Sequence, residues 1–254
     1  MTLASATQVT VHWSPDEPVL DLRNAHLWLC DLDDRRWVSA VDKSLLSAAE
    51  HARAERLRTL ELRRRFVARS VFVRRVLGGL LGVPPCNVEY RIGPLGKPEL
   101  AHDIDAGLER EPLPRFNLSH SDNVLALAVA FHWEVGVDME CVKTGLDFLG
   151  LGEEQLGPEE IAQLRSLSEQ ERALAFYRSW TRHEALAKAT GRGIASAGPR
   201  SEATALGDCD DPLPSAEYSF ECSLGGTFAV GSLALCRPEQ PATQLEVAIV
   251  GRGR

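Results

Sequence analysis

Residues 124–133, VLALAVAFHW, contain no Asp, Glu, Lys or Arg. The run is far short of the roughly 18 residues of a membrane span, and it is too apolar for a strand at a wet sheet edge. It predicts a strand inside a sheet, which the remaining elements must cover. Directly after it, residues 135–140 read VGVDME: a second apolar strand that ends in two carboxylates, Asp138 and Glu140. Asp and Glu are poor strand formers, and like charges repel. The constraint on this chain is therefore to bury one strand fully and to give the next one's acidic end a partner.

The other elements repeat one order. VTVHW (9–13) and HLWLCDL (26–32) read as strands, a helix is expected near Ser47, and a longer one runs over 62–81 with Phe66, Val67, Val71, Val73 and Leu77 at helical spacing. VEYRI (88–92) is a short strand before the turn-rich GPLGKP. FNLSHSDN (116–123) is a strand and turn. After VGVDME come a helix at 158–167 with Pro in its first turn, a long helix over 171–190 stopped by Gly191, and two alternating strands, YSFECSL and TFAVGSLALC. Both halves thus run strand, short helix, long helix, strands, with a boundary near Glu134 (1–133 and 134–254). The Gly/Pro/Asp-rich stretch 198–214 reads as a long surface loop.

Charge narrows the function. The net charge is −8, which argues against nucleic acid or an anionic membrane as partner. Yet residues 53–75 hold nine Arg against Glu55 and Glu61, a local balance of +7 in an acidic protein. That run is either the solvated face of a helix or an anion site. The start, MTLASATQVTVHW, has neither the basic region nor the apolar core of a signal peptide. The six cysteines form no C-x-x-C pair, as expected of reduced thiols in the cytoplasm.

Four short stretches carry candidate chemistry. Asp138 and Glu140 lie two apart on a strand, hence on one face; they are either solvated where the chain leaves the sheet or share a divalent cation such as Mg²⁺. In SWTRHEALAKATG, Glu184 and Lys188 are four apart on a helix in which Trp180, Leu186 and Ala187 suggest burial. They form a surface pair, or else a third carboxylate and a phosphate-holding ammonium. In FNLSHS, Ser119 and His120 are expected in a turn that can meet phosphate oxygens, and no G-x-S-x-G elbow supports Ser119 as a nucleophile. GPLGKP offers Gly96 for close backbone approach, Lys97 and the rigid Pro98.

A basic helix, then G-K-P, F-N-x-S-H-S, V-G-V-D-x-E and W-T-x-x-E-A-x-x-K, in that order over residues 47–235, resembles the 4′-phosphopantetheinyl transferase superfamily, in its larger monomeric type. That resemblance implies an α+β fold, a pseudo-twofold arrangement of two similar halves, each a small, mostly antiparallel sheet packed on a long helix, with the active site between them. It implies transfer of the phosphopantetheine arm of coenzyme A to a serine of an acyl carrier protein or peptidyl carrier domain, releasing adenosine 3′,5′-bisphosphate. By position, Asp138, Glu140 and Glu184 would hold Mg²⁺ or Mn²⁺. Lys188 and Lys97 would contact pyrophosphate, Ser119 and His120 the phosphates of coenzyme A, and Gly96 to Pro98 the adenine. Arg53 and Arg65 align with the family's basic phosphate contacts, and Glu184 is the expected base for the serine hydroxyl.

The sequence departs from the family pattern in three places. His183 stands where the family usually has Lys before the Glu. EEQLGPEE replaces the usual R-F-F-S segment, and LRTLEL replaces an aromatic and basic one. These departures leave room for an inactive relative that only binds coenzyme A or a carrier. A Mg²⁺-dependent nucleotide hydrolase is a third possibility.

Overall fold

The computed structural model describes residues 9–17, 24–34, 43–93, 97–101, 114–191, 214–236 and 249–250. The apolar run becomes β6 (Val124–Ala130), buried along its whole length. It lies between β2 (Ala25–Asp31) and β5 (Arg115–Ser121), both antiparallel to it. Beyond β2, β1 (Val9–His12) and β10 (Ile249–Val250) add in parallel and complete a five-stranded sheet. The carboxylate-bearing strand is β7 (Glu134–Cys141), at the edge of a three-stranded antiparallel sheet with β9 (Thr227–Cys236) in the middle and β8 (Pro214–Leu224) outside. A small hairpin-like pair, β3 (Tyr90–Ile92) and β4 (Pro98–Leu100), completes the strands.

The helices start and stop where local chemistry dictates. In α1 (Ala48–Glu55), Ser47 and Glu50 form a reciprocal capping box. Thr59 caps α2 (Leu60–Leu81), which ends on Gly82 in the left-handed region at φ 66°. Two shorter helices follow, α3 (Phe148–Gln155) and α4 (Pro158–Ser166), and then α5 (Glu169–Thr190), closed by Gly191 at φ 72°. Three elements were not expected from the sequence: α3, β4 and the short β10. FLGLGEEQ, with its two glycines, forms α3 because the Asp147 side chain accepts from the Gly150 N–H at 3.0 Å and caps its start. Pro98 opens β4, at a strand's first residue, where a missing N–H is tolerated. Gly96 and most of the 198–214 stretch fall outside the described residues.

Three apolar layers follow from the two-residue period of the strands. Odd residues of β7 (Val135, Val137, Met139, Cys141) face Leu27, Leu29, Ala126 and Ala128 of the other sheet across a shared core. The opposite face of the five-stranded sheet packs Trp28, Leu125, Leu127 and Val129 on Phe72, Val73, Val76 and Leu77 of α2. The opposite face of the smaller sheet packs Val230 and Ala234 under α5. The order is helix, sheet, sheet, helix: an α+β fold in which each sheet lies on one long helix, with β10 from the chain's far end joining the sheet built from residues 9–130. Among the described residues no helix is long and apolar enough to cross a membrane, and Cys86, Cys141, Cys222 and Cys236 are free thiols.

The basic run divides its duties. Arg74 is 2% exposed, and its guanidinium donates to Glu50 at 2.8 Å and to the carbonyls of Pro85 and Val88 at 2.9 and 3.0 Å. It ties α1, α2 and the segment after α2 into one unit, with every donor's charge compensated. The buried stripe of α5 runs through Ala173, Tyr177, Thr181, Glu184, Ala185 and Ala189; Trp180, Leu186 and Ala187, which had suggested its burial, are only half-covered. Small residues make that stripe because the helix lies almost on β7. A Cβ on Gly136 would sit 2.0 Å from the Ala185 carbonyl oxygen and 2.3 Å from the Ala189 nitrogen. Gly136→Ala must therefore lift α5 off the strand, and urea denaturation is expected to show a loss of about 3 kcal/mol; an unchanged midpoint would refute the close approach.

Candidate active site

The edge of β7 away from β9 has no backbone partner among the described residues, and side chains satisfy it instead. The Val137, Met139 and Cys141 N–H groups donate to Asn117 Oδ1 at 2.9 Å, Ser119 Oγ at 3.3 Å and Ser121 Oγ at 3.0 Å. The Val135 carbonyl accepts from Lys97 Nζ at 3.0 Å and the Val137 carbonyl from Lys188 Nζ at 3.2 Å. The alternation of β5 matches that of β7 residue for residue, so the two edge strands are stitched by a side-chain ladder. Ser119 and His120 lie within β5, which corrects their expected place in a turn. The apolar pattern of β6 requires a partner on that side, so the strand continues through them.

Strand parity sorts the functional groups. Asp138 and Glu140 sit on the face of β7 that looks at α5, beside Gly136. Asp138 is 4% exposed; its Oδ1 accepts from Lys188 at 2.6 Å and from Ser119 Oγ at 2.9 Å, while its buried Oδ2 has no hydrogen-bond partner. Glu140 Oε2 accepts from Ser121 Oγ at 2.7 Å. Glu184, 3% exposed on α5, has a buried Oε1 that also lacks a partner. Burial first, and then repulsion from Asp138, raises the Glu184 carboxyl above the ordinary carboxylate range; burial likewise raises Glu140, with the Asp138 charge adding to it. Lys188 supplies the countercharge but does not cancel three acids.

The opposite parity of β5 faces α2. There the His120 ring nitrogen lies 2.8 Å from Arg69, a residue the motif reading did not single out. Enclosure of the His120 ring, followed by the charges of Arg69, Lys188 and Arg53, pushes its pKa down to about 4. Burial and the neighbouring Arg53 charge lower the Arg69 guanidinium, and both guanidinia lie over the Phe66 ring, at 5.5 and 5.1 Å from its centre. Arg53, Arg69, His120 and Lys188 thus gather as a positive cluster with a neutral imidazole among them. Arg65 is turned elsewhere, to Asp33 at 2.9 Å and Glu61 at 2.8 Å. Lys97, held on the Val135 carbonyl, also reaches Glu134 at 3.4 Å, and Pro98 leads into β4.

These residues fit a cation on one side of the seam and an anion on the other. Two orphaned, buried carboxylate oxygens and three acids against one lysine are the chemistry of an oxygen-ligated divalent ion. In the present side-chain arrangement, with Lys188 on Asp138, no three acidic, His or Cys groups among the described residues converge closely enough to hold a metal.

Sequence spacing could have found two of the missed participants. Ser121 is two residues beyond Ser119 and so shares its face, and Arg69 is one helical turn beyond Arg65. Asn117 continues the same alternation. His183, which stands at the family's usual Lys position, places Nε2 at 3.2 Å from Glu160 on α4, which also accepts from Arg182 at 2.9 Å and from the Gly157 N–H at 3.1 Å. Burial works to raise the Glu160 carboxyl, but the hydrogen bonds from His183 and Gly157, with the charges of His183 and Arg182, outweigh it and hold the pKa at about 2. A depressed carboxyl stabilises the fold above its unfolded value of about 4.3, and that contribution drains away as pH falls towards 2. Glu160→Gln is expected to cost about 2 kcal/mol at pH 7 and progressively less between pH 4 and 2. Chemical denaturation at a series of pH values reads the difference, and a pH-independent gap would exclude the ionised cap.

Comparison with known proteins adds independent support. Residues 134–221 match the 4′-phosphopantetheinyl transferase superfamily. The chain is 38% identical over 186 residues to the 4′-phosphopantetheinyl transferase HetI of Nostoc sp., covering 72% of this chain and 76% of that protein. It is 35% identical over 173 residues to a putative 4′-phosphopantetheinyl transferase of Synechocystis sp., with 68% and 67% covered. A 4′-phosphopantetheinyl transferase of Aneurinibacillus migulanus is 29% identical over 125 residues, 49% of this chain and 47% of that one. The segment matched by the family opens on β7, the strand whose edge builds the site, and the chain belongs to the 4′-phosphopantetheinyl transferase superfamily.

Proposed function

We propose that this protein transfers the 4′-phosphopantetheine arm of coenzyme A to a serine hydroxyl of an acyl carrier protein or peptidyl carrier domain, as a cytoplasmic monomer of the family's larger type, with its active site between residues 1–133 and 134–254. The observation that carries the reading is the split of charge across the β5–β7 seam: three carboxylates on the α5 side and a cationic cluster on the α2 side, joined by Lys188. A diphosphate needs such a pairing. Arg53, Arg69 and His120 suit the phosphates of coenzyme A, and Lys188 suits its pyrophosphate. Asp138, Glu140 and Glu184 are the residues that would hold Mg²⁺, or Mn²⁺ in its place, which when bound supplies positive charge beside the pyrophosphate.

In the chemical step, the carrier serine oxygen attacks the phosphorus that bears the pantetheine, a new P–O ester bond forms, and the pyrophosphate P–O bond breaks. Adenosine 3′,5′-bisphosphate departs with the bridging oxygen. Charge grows on that leaving oxygen, so fixed cations contribute most of the acceleration. The serine proton must go to a base, and Glu184 Oε1 is buried, unpartnered and attached to a carboxyl whose affinity for protons is raised, as a base working near neutral pH requires. No nucleophile is needed from this chain because the carrier brings it. The rival reading, an inactive relative that only binds coenzyme A or a carrier, predicts binding without transfer.

Incubating the protein with coenzyme A, Mg²⁺ and an apo carrier protein tests the proposal by intact mass. The carrier should gain one phosphopantetheine. Loss of coenzyme A without an adduct would instead indicate a hydrolase, and no change an inactive binder. Asp138→Ala is expected to abolish the gain. Arg69→Ala should raise the KM for coenzyme A about tenfold while largely keeping kcat, since it removes one charge-assisted contact to phosphate; an unchanged KM would take Arg69 out of the site.

A further inference from the structure

Two hydroxyls in the seam face both ways. Ser121 Oγ accepts from the Cys141 N–H at 3.0 Å and donates to Glu140 Oε2 at 2.7 Å. One register step earlier, Ser119 Oγ accepts from the Met139 N–H at 3.3 Å and donates to Asp138 Oδ1 at 2.9 Å. Each serine thus binds the N–H of one β7 residue and the carboxylate of the residue before it. Asn117 makes the backbone half of this contact alone, accepting from the Val137 N–H at 2.9 Å, and the residue before Val137 is Gly136, which has no side chain to receive anything.

A serine hydroxyl has one proton and two lone pairs. Because a buried backbone N–H occupies the acceptor side, the proton of Ser121 is left aimed at Glu140, and the hydroxyl rotor is no longer free to choose. A carboxylate fixed through one oxygen presents the other in a set direction. The Cys141 thiol also donates to the Ser121 carbonyl at 3.1 Å, so the last step of the ladder is closed on both strands. The orientation of the acids is thereby tied to the docking of one half of the molecule on the other.

We propose that Ser121 is a positioning residue that sets Glu140 for the divalent cation, with Ser119 doing the same for Asp138, and that Asn117 is the purely structural member of the ladder. The inference rests on the reading of Asp138, Glu140 and Glu184 as the cation-holding set. It assigns Ser121 a function through Glu140 rather than contact with the substrate. Removing such an outer partner typically weakens metal binding by about 10-fold or more.

The test compares wild type, Ser121→Ala, Ser121→Thr and Asn117→Ala by Mn²⁺ titration in the presence of coenzyme A, read by electron paramagnetic resonance, together with urea denaturation of the metal-free proteins. Ser121→Ala and Asn117→Ala should lose similar stability, because each orphans one β7 N–H. Only Ser121→Ala should weaken Mn²⁺ binding, by about tenfold, and Ser121→Thr, which restores a hydroxyl, should recover most of it. Equal Mn²⁺ affinities in the two Ala variants would overturn the assignment and leave Ser121 a structural residue. A wild-type protein that binds no Mn²⁺ would instead overturn the cation site beneath it, and the two failures are distinct in the wild-type titration alone.

Discussion

The unpaired edge of β7 is the constraint on which the rest of the molecule depends. A buried strand edge with no neighbour exposes N–H and C=O groups to an environment that cannot solvate them, and each such group costs free energy. A direct backbone ladder with β5 would remove that cost and fuse the two sheets. The protein instead bridges the edge with Asn117, Ser119 and Ser121 from one side and Lys97 and Lys188 from the others. Side chains span more than the 4.8 Å or so between hydrogen-bonded strands, so the two halves dock while their main chains stay apart. The groups that satisfy the edge lie for the most part among, or directly against, the groups proposed to carry the chemistry.

Satisfying β7 in this way also separates the charges. Strand alternation sends Asp138 and Glu140 towards α5 and sends His120 towards α2, so acids and bases with every reason to neutralise one another are held on opposite faces of a seam. Lys188 puts a positive charge among the acids, bonded to both the Val137 carbonyl and Asp138. Elsewhere the chain follows the ordinary rule that buried charge is paired, as Arg74 with Glu50 and Glu160 with His183 demonstrate. The orphaned oxygens of Asp138 and Glu184 break that rule at one place, and local rules are broken chiefly where function requires it.

The long elements were readable because their physics is local. β6 announced itself by an unbroken apolar run, α2 by helical spacing over 62–81, and α5 by a pattern that ends at Gly191. Asp138, Glu184 and Lys188, candidates marked by their motifs, do lie near one another, with Lys188 bonded to Asp138. What escaped were features that depend on contacts distant in sequence. Arg65 and Arg69 are one turn apart on the same helix, yet Asp33 captures the first and His120 meets the second. Helix α3 is the local exception: two glycines masked a start that the adjacent Asp147 side chain caps. Ser119 and His120 looked like turn residues because polar side chains on a strand make sense only once a second edge strand stands opposite them.

By itself, the sequence determined which strand must be buried, where the two long helices end, which family the motifs belong to, and which three acids and lysine are the candidates for the chemistry. Those properties follow from residue type and from periods of two and 3.6 along a single element. Only the tertiary structure decided that Gly136 lets α5 rest on β7, that Ser121 aims at Glu140, that Arg69 rather than Arg65 meets His120, and that His183 serves Glu160. Each of these is settled by the approach of two segments far apart in the chain, where hydrogen-bond reach and excluded volume, not local preference, choose the partner.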